Sequence, residues 1–409
     1  MSIKSRKIIN YTVAVAALGY FVDIYDLLLF GIIRMPSLKA LGLNEYQIKI
    51  DGENILMWQM VGLLIGGIIW GIMGDKNGRL SVLFGSILLY SLANFANGFV
   101  QTVEQYKWIR FFAGIGLAGE LGAGITLVSE LVSKEKRGLV TSLVAGLGLT
   151  GAVLAFYCKQ NFEWRTCFFI GGGMGFLLLM LRIVVLESSM YNVIKKKYIK
   201  RGDFFMLFKD RKRFKKYILN ILIGLPTWLC IGVLVTFSKE FGEAMNIKEK
   251  IDPGKSIMYA YIAISIGDVL AGVLSQWLKS RKKAIFIFYI ITIVFIVLYF
   301  TTLWNGSASK MYLICAGIGF GTGFWALFVT MAAEQFGTNL RATATTTIPN
   351  MVRGMLAIFI IPLFRLLQTF TGNYYQAGWI LALIVMTISI VAVFLIEETF
   401  GNDLDFIEN

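Results

Sequence analysis

The chain has 409 residues and not one histidine. Histidine is the side chain that titrates near neutral pH without help from its surroundings, so a proton handled by this chain has to sit on a carboxylate. Its absence also removes the usual base of a nucleophile–base pair. Cysteine is scarce: Cys158, Cys167, Cys230 and Cys315 form no C-x-x-C spacing, which points to neither a disulfide frame nor a metal site. With no clustered metal ligands either, an enzyme is a poor reading, and no metal or cofactor is expected. Only five prolines punctuate the chain, and polar stretches long enough for a soluble domain are missing.

What is present is apolar. Hydrophobic residues make up 57% of the chain and the mean hydropathy is +0.69. Twelve apolar runs are long enough to cross a hydrocarbon layer of ~30 Å, each about 20 residues. They cover roughly 9–33, 55–73, 80–100, 106–131, 138–158, 165–186, 217–238, 255–277, 284–303, 309–335, 344–369 and 375–397. The 42 glycines suit closely packed membrane helices. The fold class expected is therefore all-α integral membrane, with twelve transmembrane helices in two pseudo-symmetric six-helix bundles.

The net charge of +14 is placed by topology. With both termini in the cytoplasm, cytoplasmic segments hold 24 of the 39 Lys and Arg and external segments 11, while Arg110, Arg182, Arg353 and Arg365 lie inside spans. This bias follows the positive-inside rule and predicts a multi-pass plasma-membrane protein, a bacterial inner membrane being the natural setting. The basic cluster in 187–216 reads as a surface on the inner-leaflet lipids, and not as a nucleic-acid site. It contains one or two candidate short helices and divides the chain: a six-helix bundle over 1–186, a cytoplasmic linker over 187–216, a second bundle over 217–397, and a tail over 398–409. External loops read as short except 34–54 and 239–254.

Two phrases occur twice, in the same order. Gly71, Asp75, Lys76, Gly78 and Arg79 return as Gly272, Gln276 and the run Ser280, Arg281, Lys282, Lys283, while Glu130 with Arg137 returns as Glu334 with Arg341. A duplicated membrane unit is how many secondary transporters are built. These residues sit at helix ends, where charges can hold ends together in one state and part in another, so Gly71, Asp75, Gly78, Arg79, Glu130, Arg137, Glu334 and Arg341 are read as a cytoplasmic gate. The plainer alternative is that they satisfy helix termini and enforce topology.

Charges inside apolar spans are costly and point to function. With a rise of ~1.5 Å per residue, Arg353 lies about 18 Å above Arg341, near the midplane, and Asp268 and Glu120 lie at similar depth. A carboxylate in a poorly solvated cavity holds its proton more tightly and a nearby guanidinium loosens it, so Asp23 or Asp26 with Arg110 forms a candidate proton switch, with Glu120 second. A static ion pair is the rival reading. The planar fork of Arg353, with Asn350 one turn before it, suits carboxylate or phosphate oxygens unless Arg353 merely neutralises Asp268. Tyr25, Trp228 and Trp325 are candidate cavity aromatics, for which a core or interfacial role is the default.

Together these residues resemble the major facilitator superfamily, a twelve-helix transporter fold. The phrase from Gly71 to Arg79 is similar to the superfamily's loop between helices 2 and 3. Two stretches look most like the metabolite:proton symporters and, beyond them, the sugar porters. Gly19, Asp23, Tyr25, Asp26, Phe30 and Gly31 follow the pattern G-x-x-x-E-W-Y-D-F-x-x-Y-G. Arg110, Gly114, Gly119, Glu120 and Gly122 follow R-x-x-Q-G-x-x-x-x-G-E-W-G. Asp23 stands where that family has Glu, Gln276 where the superfamily often has Asp, and Leu80 and Ser81 where basic residues are usual. The resemblance implies import of carboxylates or zwitterions with protons, by a chain that works as a monomer.

The reading these features support is proton-coupled import of a small anionic or zwitterionic metabolite by alternating access, a polycarboxylate siderophore included. Arg353, Asn350, Glu120, Asp268, Tyr25, Trp228 and Trp325 would serve the substrate, and Asp23, Asp26, Arg110 and Glu120 the proton. An exporter, a carrier of neutral or cationic solutes, and a sensor that kept the fold without transport are the alternatives.

Overall fold

The computed structural model describes residues 3–133, 136–184 and 201–408. Its spans are α1 (Tyr11–Ala40), α2 (Glu45–Asn77), α3 (Arg79–Asn97), α4 (Val103–Leu131), α5 (Arg137–Asn161), α6 (Trp164–Leu181), α7 (Arg211–Val235), α8 (Pro253–Leu278), α9 (Arg281–Thr302), α10 (Ala308–Gln335), α11 (Arg341–Thr371) and α12 (Tyr374–Leu395). Each expected apolar run falls on one of these twelve helices.

Side-chain caps set the helix starts. Asn44 accepts from the Gln47 amide in a capping box, and Thr102, Asp210, Ser280, Ser307 and Asn373 each accept from an amide two or three residues on. Asp252 accepts from the Gly254 amide, and Pro253 follows it at the first helical position, where its missing N–H is harmless. A single residue, Gly78 at φ 103°, joins α2 to α3, a backbone state that a side chain would strain.

One expected loop is wrong. α1 continues through Pro36 to Ala40 and α2 starts at Glu45, so the long loop read over 34–54 shrinks to residues 41–44. The charges in this stretch mark helix that protrudes beyond the apolar layer, since polar helix can extend into water once the apolar run ends. The second loop, 239–254, is shortened by a helix over Ser238–Ala244. Residues 187–200 of the basic linker lie outside the described residues. Of the remainder, Met206–Lys209 forms one helical turn and α7 already begins at Arg211.

α1–α6 and α7–α12 form the two halves, and the halves meet mainly along α2 against α11 and α5 against α8. Glycine permits the approach. A methyl on Gly71 would stand 3.0 Å from the Thr343 Cα, and one on Gly272 would stand 2.6 Å from the Ser142 Cβ. Several spans are interrupted, α4 and α10 in matching places. α4 breaks at Ala118–Gly119 and α10 at Thr322–Phe324, while π-turns fall in α7 (Cys230–Val235) and α11 (Leu356–Ile360). Irregular backbone at membrane depth is tolerated where protein covers it, as at the α4, α7 and α10 breaks, whereas the α11 turn is covered only on its Leu356, Ala357 and Ile360 side.

Candidate functional site

Between the halves, at mid-depth, lies a small cavity. Tyr20, Ile24 and Leu27 of α1 face Thr227 and Trp228 of α7, Tyr261 and Ile264 of α8, Trp325 of α10 and Arg353 of α11. Its volume is about 20 Å³, room for about one water. Four aromatic rings and one guanidinium thus converge on a space that is closed in this conformation. Arg353 sits with its carbon 5.8 Å from the centre of the Trp325 ring, donates from Nη1 to the Asn350 Oδ1 at 3.3 Å, and has an unpartnered Nε among the described residues.

The buried acids have distinct surroundings. Asp26 accepts from the Arg110 Nη1 at 3.0 Å, and Arg110 also reaches the Asp26 carbonyl at 3.1 Å and the Gln59 Oε1 at 3.3 Å. Arg110, on α4, is therefore held by α1, α2 and, through the Asn94 Oδ1 at 3.4 Å, α3. Glu120 makes a two-pronged ion pair with Arg182, whose Nη1 also donates to the Leu83 carbonyl at 2.9 Å. Asp268 accepts the Ala326 amide at 2.9 Å, just after the break in α10 that presents Trp325. It makes no ion pair with Arg353 among the described residues. Asp23 differs from all three: neither carboxylate oxygen has a hydrogen-bond partner among the described residues, and Arg353, Glu120, Asp26 and Arg182 are its charged neighbours.

Of the aromatics singled out in the sequence, Trp228 and Trp325 line the cavity. Tyr25 does not: it is fully buried within the first half and its hydroxyl donates to the Cys167 carbonyl at 2.8 Å. Glu120, Asp268 and Asn350 stand behind the cavity wall. Tyr20 and Tyr261 are lining residues that sequence reasoning missed. Tyr20 sits one helical turn from Ile24 and two from Leu27, a spacing that places all three on one face of α1.

We call basal the face on which α1 begins and α12 ends. There the repeated ionic phrases come together, and they pair across the repeat. Glu130 accepts from Arg79 at 2.9 Å in its own half and from Arg341 of the other half at 3.0 Å. In the mirrored cluster Glu334 accepts from Arg281 at 2.9 Å in its own half and from Arg137 of the other at 3.4 Å. Asp75 caps the start of α11, accepting the Ala342 amide at 3.0 Å, the Thr343 amide at 2.8 Å and the Thr343 hydroxyl at 2.7 Å. Its counterpart in the other half, Gln276, has a buried Nε2 with no hydrogen-bond partner among the described residues. Two hydroxyl pairs add to the seam, Thr126 with Thr345 at 2.6 Å and Thr141 with Thr330 at 2.8 Å.

The C-terminal tail lies over these clusters. The Leu404 carbonyl accepts from Arg341 and the Asn402 carbonyl from Arg137, while the Thr399 hydroxyl donates to Glu334 at 2.8 Å. Glu398 accepts the Arg281 amide at 2.8 Å, and burial is outweighed there by hydrogen bonds from Ser280, Arg281, Phe400 and Thr399, which hold its carboxyl below the usual range. On the opposite face the halves are joined by thinner contacts: Lys159 with Asp252 at 3.2 Å, and Arg365 with Glu53.

A bundle of two matched halves with a closed polar seam at one end, a lighter closure at the other and a cavity between defines a membrane carrier rather than an enzyme. The chain belongs to the Major Facilitator Superfamily, whose family model matches residues 15–362. It is 26% identical to a putative niacin/nicotinamide transporter, NiaP, of Bacillus subtilis, over 84% of each chain. It is 33% identical to the benzoate transport protein of Acinetobacter baylyi over 43% of this chain and 39% of that one. The fold is also that of the proton:xylose symporter XylE, with a TM-score of 0.79, 15% identity and coverage of 98% of both chains.

Proposed function

We propose that this transporter carries a small aromatic carboxylate, inward and together with a proton, by alternating access. The observation that carries this reading is the Arg353 fork, with a free Nε, in the wall of a cavity built from Tyr20, Tyr261, Trp228 and Trp325. A guanidinium offers parallel donors to a carboxylate, and aromatic faces hold a flat ring. Arg353 is the one cation among the lining residues, so a monocarboxylate fits better than a polycarboxylate siderophore, which would need further positive charge. Relatives named as a putative niacin/nicotinamide transporter and a benzoate transport protein support the same chemical class.

In this reading Asp23 carries the proton. Burying a charged carboxylate without donors is costly, whereas the neutral acid is tolerated there. Asp26 and Glu120 already have guanidinium partners and Asp268 an amide. The basal face is the cytoplasmic one, with both termini inside a bacterial inner membrane, the linker over 187–216 resting on anionic lipid, and the chain acting as a monomer. The structure then corresponds to the state closed at both ends.

Proteoliposomes containing a pH dye test the proposal. External benzoate or nicotinate should acidify the lumen, and Arg353→Ala should raise the half-saturating concentration about 10- to 100-fold, as loss of a charge-assisted contact worth roughly 1.5–3 kcal/mol predicts. Counterflow of labelled benzoate without proton movement would remove symport and leave an exchanger. Response to neutral or cationic solutes alone would overturn the carboxylate assignment in favour of the alternative carriers.

A further inference from the structure

The sequence suggests Asn350 as a second ligand for the substrate's anion beside Arg353, yet every polar atom of its amide is engaged within the protein. Its Nδ2 donates to the Ala118 carbonyl at 2.8 Å and to the Thr346 carbonyl at 2.8 Å, and its Oδ1 accepts from Arg353 at 3.3 Å. Ala118 belongs to the other half. It stands in the break of α4, where the Gly119 amide reaches back to Gly116 in a tightened turn and the Ala118 carbonyl is directed at Asn350. The fit around the side chain is tight. A methyl on Gly67 of α2 would lie 2.8 Å from the Asn350 Cβ and 3.1 Å from Nδ2. Asn350 is thus gripped between two helices of the first half while it belongs to the second.

One residue therefore touches three things at once: the guanidinium in the cavity wall, the break in α4, and the seam that closes the basal side. Thr346, Thr343 and the Asp75 cap follow it down the same face of α11 toward that seam, at spacings of three and four residues. We propose that Asn350 is a positioning residue that couples the state of Arg353 to the basal gate. With Arg353 donating to Oδ1, the amide is held with Nδ2 aimed across the interface at Ala118. When an anion draws the guanidinium into the cavity, the amide loses that hold, the bond to Ala118 weakens, and the closed seam loses a strut at its inner end. A ligand shifts a two-state equilibrium only through such a difference in contacts between the states. The inference rests on the reading of Arg353 as the anion site, but the coupling between Arg353 and Asn350 is measurable with no ligand present.

A mutant cycle on the gate tests it. Probes at Ser133→Cys and Lys279→Cys, exposed positions on the basal ends of the two halves, report gate separation by pulsed spin-label distances in lipid nanodiscs. Arg353→Ala and Asn350→Ala should each raise the open-to-closed ratio about fivefold, the effect of one net hydrogen bond. The double variant should match Asn350→Ala alone, because Arg353 acts through Asn350. Thr345→Val is the comparator: its hydroxyl pair also ties the halves but does not touch Arg353, so Arg353→Ala should multiply its effect fivefold again. Additive behaviour of Asn350 and Arg353, or no change in Asn350→Ala, would overturn the coupling. If an alanine variant fails to give monodisperse protein, Asn350→Ser and Arg353→Gln complete the same cycle. A wild type that binds neither benzoate nor nicotinate would sink the functional reading and leave this result standing.

Discussion

Replacing Glu130 with Gln should open the basal gate. Glu130 is 5% exposed and takes one guanidinium from each half, Arg79 at 2.9 Å and Arg341 at 3.0 Å. Hydrogen bonds to charged groups contribute about 1.5–3 kcal/mol, and neutral ones roughly half as much. An amide oxygen still accepts from one arginine, so the closed state loses about 2 kcal/mol, which is roughly a 30-fold rise in the open-to-closed ratio. The loss falls on the closed state because water solvates both guanidinium groups once the seam parts. Folding should survive, since Arg79 keeps Asp75 at 3.4 Å and Arg341 keeps the Thr338 hydroxyl at 3.2 Å. Distances between labels at Ser133→Cys and Lys279→Cys give the two populations directly. A ratio that moves less than about twofold would refute the idea that this pair of bonds holds the seam.

Three further outcomes are expected. Gly122→Ala would place a methyl 2.4 Å from the Thr346 Cα in the closed state, so the same probes should report about a tenfold shift to the open gate, consistent with overpacking of roughly 1–3 kcal/mol. Asp23→Asn should abolish accumulation of labelled benzoate driven by a pH gradient in proteoliposomes while preserving counterflow; retained uphill transport would move the proton to another acid. Removing residues 402–409 takes the Asn402 and Leu404 carbonyls from Arg137 and Arg341, and should raise basal opening at least threefold, about one neutral hydrogen bond or more; an unchanged distance distribution would make the tail a passive cover.

The twelve spans were legible because each is an apolar run, and length against bilayer thickness needs nothing from tertiary structure. Helix ends were not, where polar residues extend a helix into water, as Arg34 to Ala40 and Glu45 to Glu53 do. The duplicated phrases disclosed that Glu130, Arg137, Glu334 and Arg341 belong together, but not that each glutamate takes an arginine from the opposite repeat; identical phrases carry no mark of partner. The breaks in α4 and α10 had a signal in the glycines near Ala118 and Thr322, which membrane helices also use for close packing, so composition alone did not separate the two uses. The tail's place over the ionic clusters was not legible, because its bonds to Arg137 and Arg341 come from the Asn402 and Leu404 backbone carbonyls, which carry no sequence signal. Tyr25 takes the core role that is the default for such an aromatic, because a motif gives a residue's neighbours in the chain and not the side of the helix that meets the cavity.

The exchange of Asp75 for Gln276 in the second repeat has a mechanical consequence. Both seams have a glutamate between two arginines, so they would be equally strong if the repeats were alike. The carboxylate of Asp75 adds three bonds to the start of α11, whereas the buried Nε2 of Gln276 finds no acceptor among the described residues. As a proposed gate, the basal seam is thus bolted on the α2–α11 edge and only latched on the α5–α8 edge. It should swing rather than part evenly, with the weaker edge giving way first and admitting water before the bolted edge lets go.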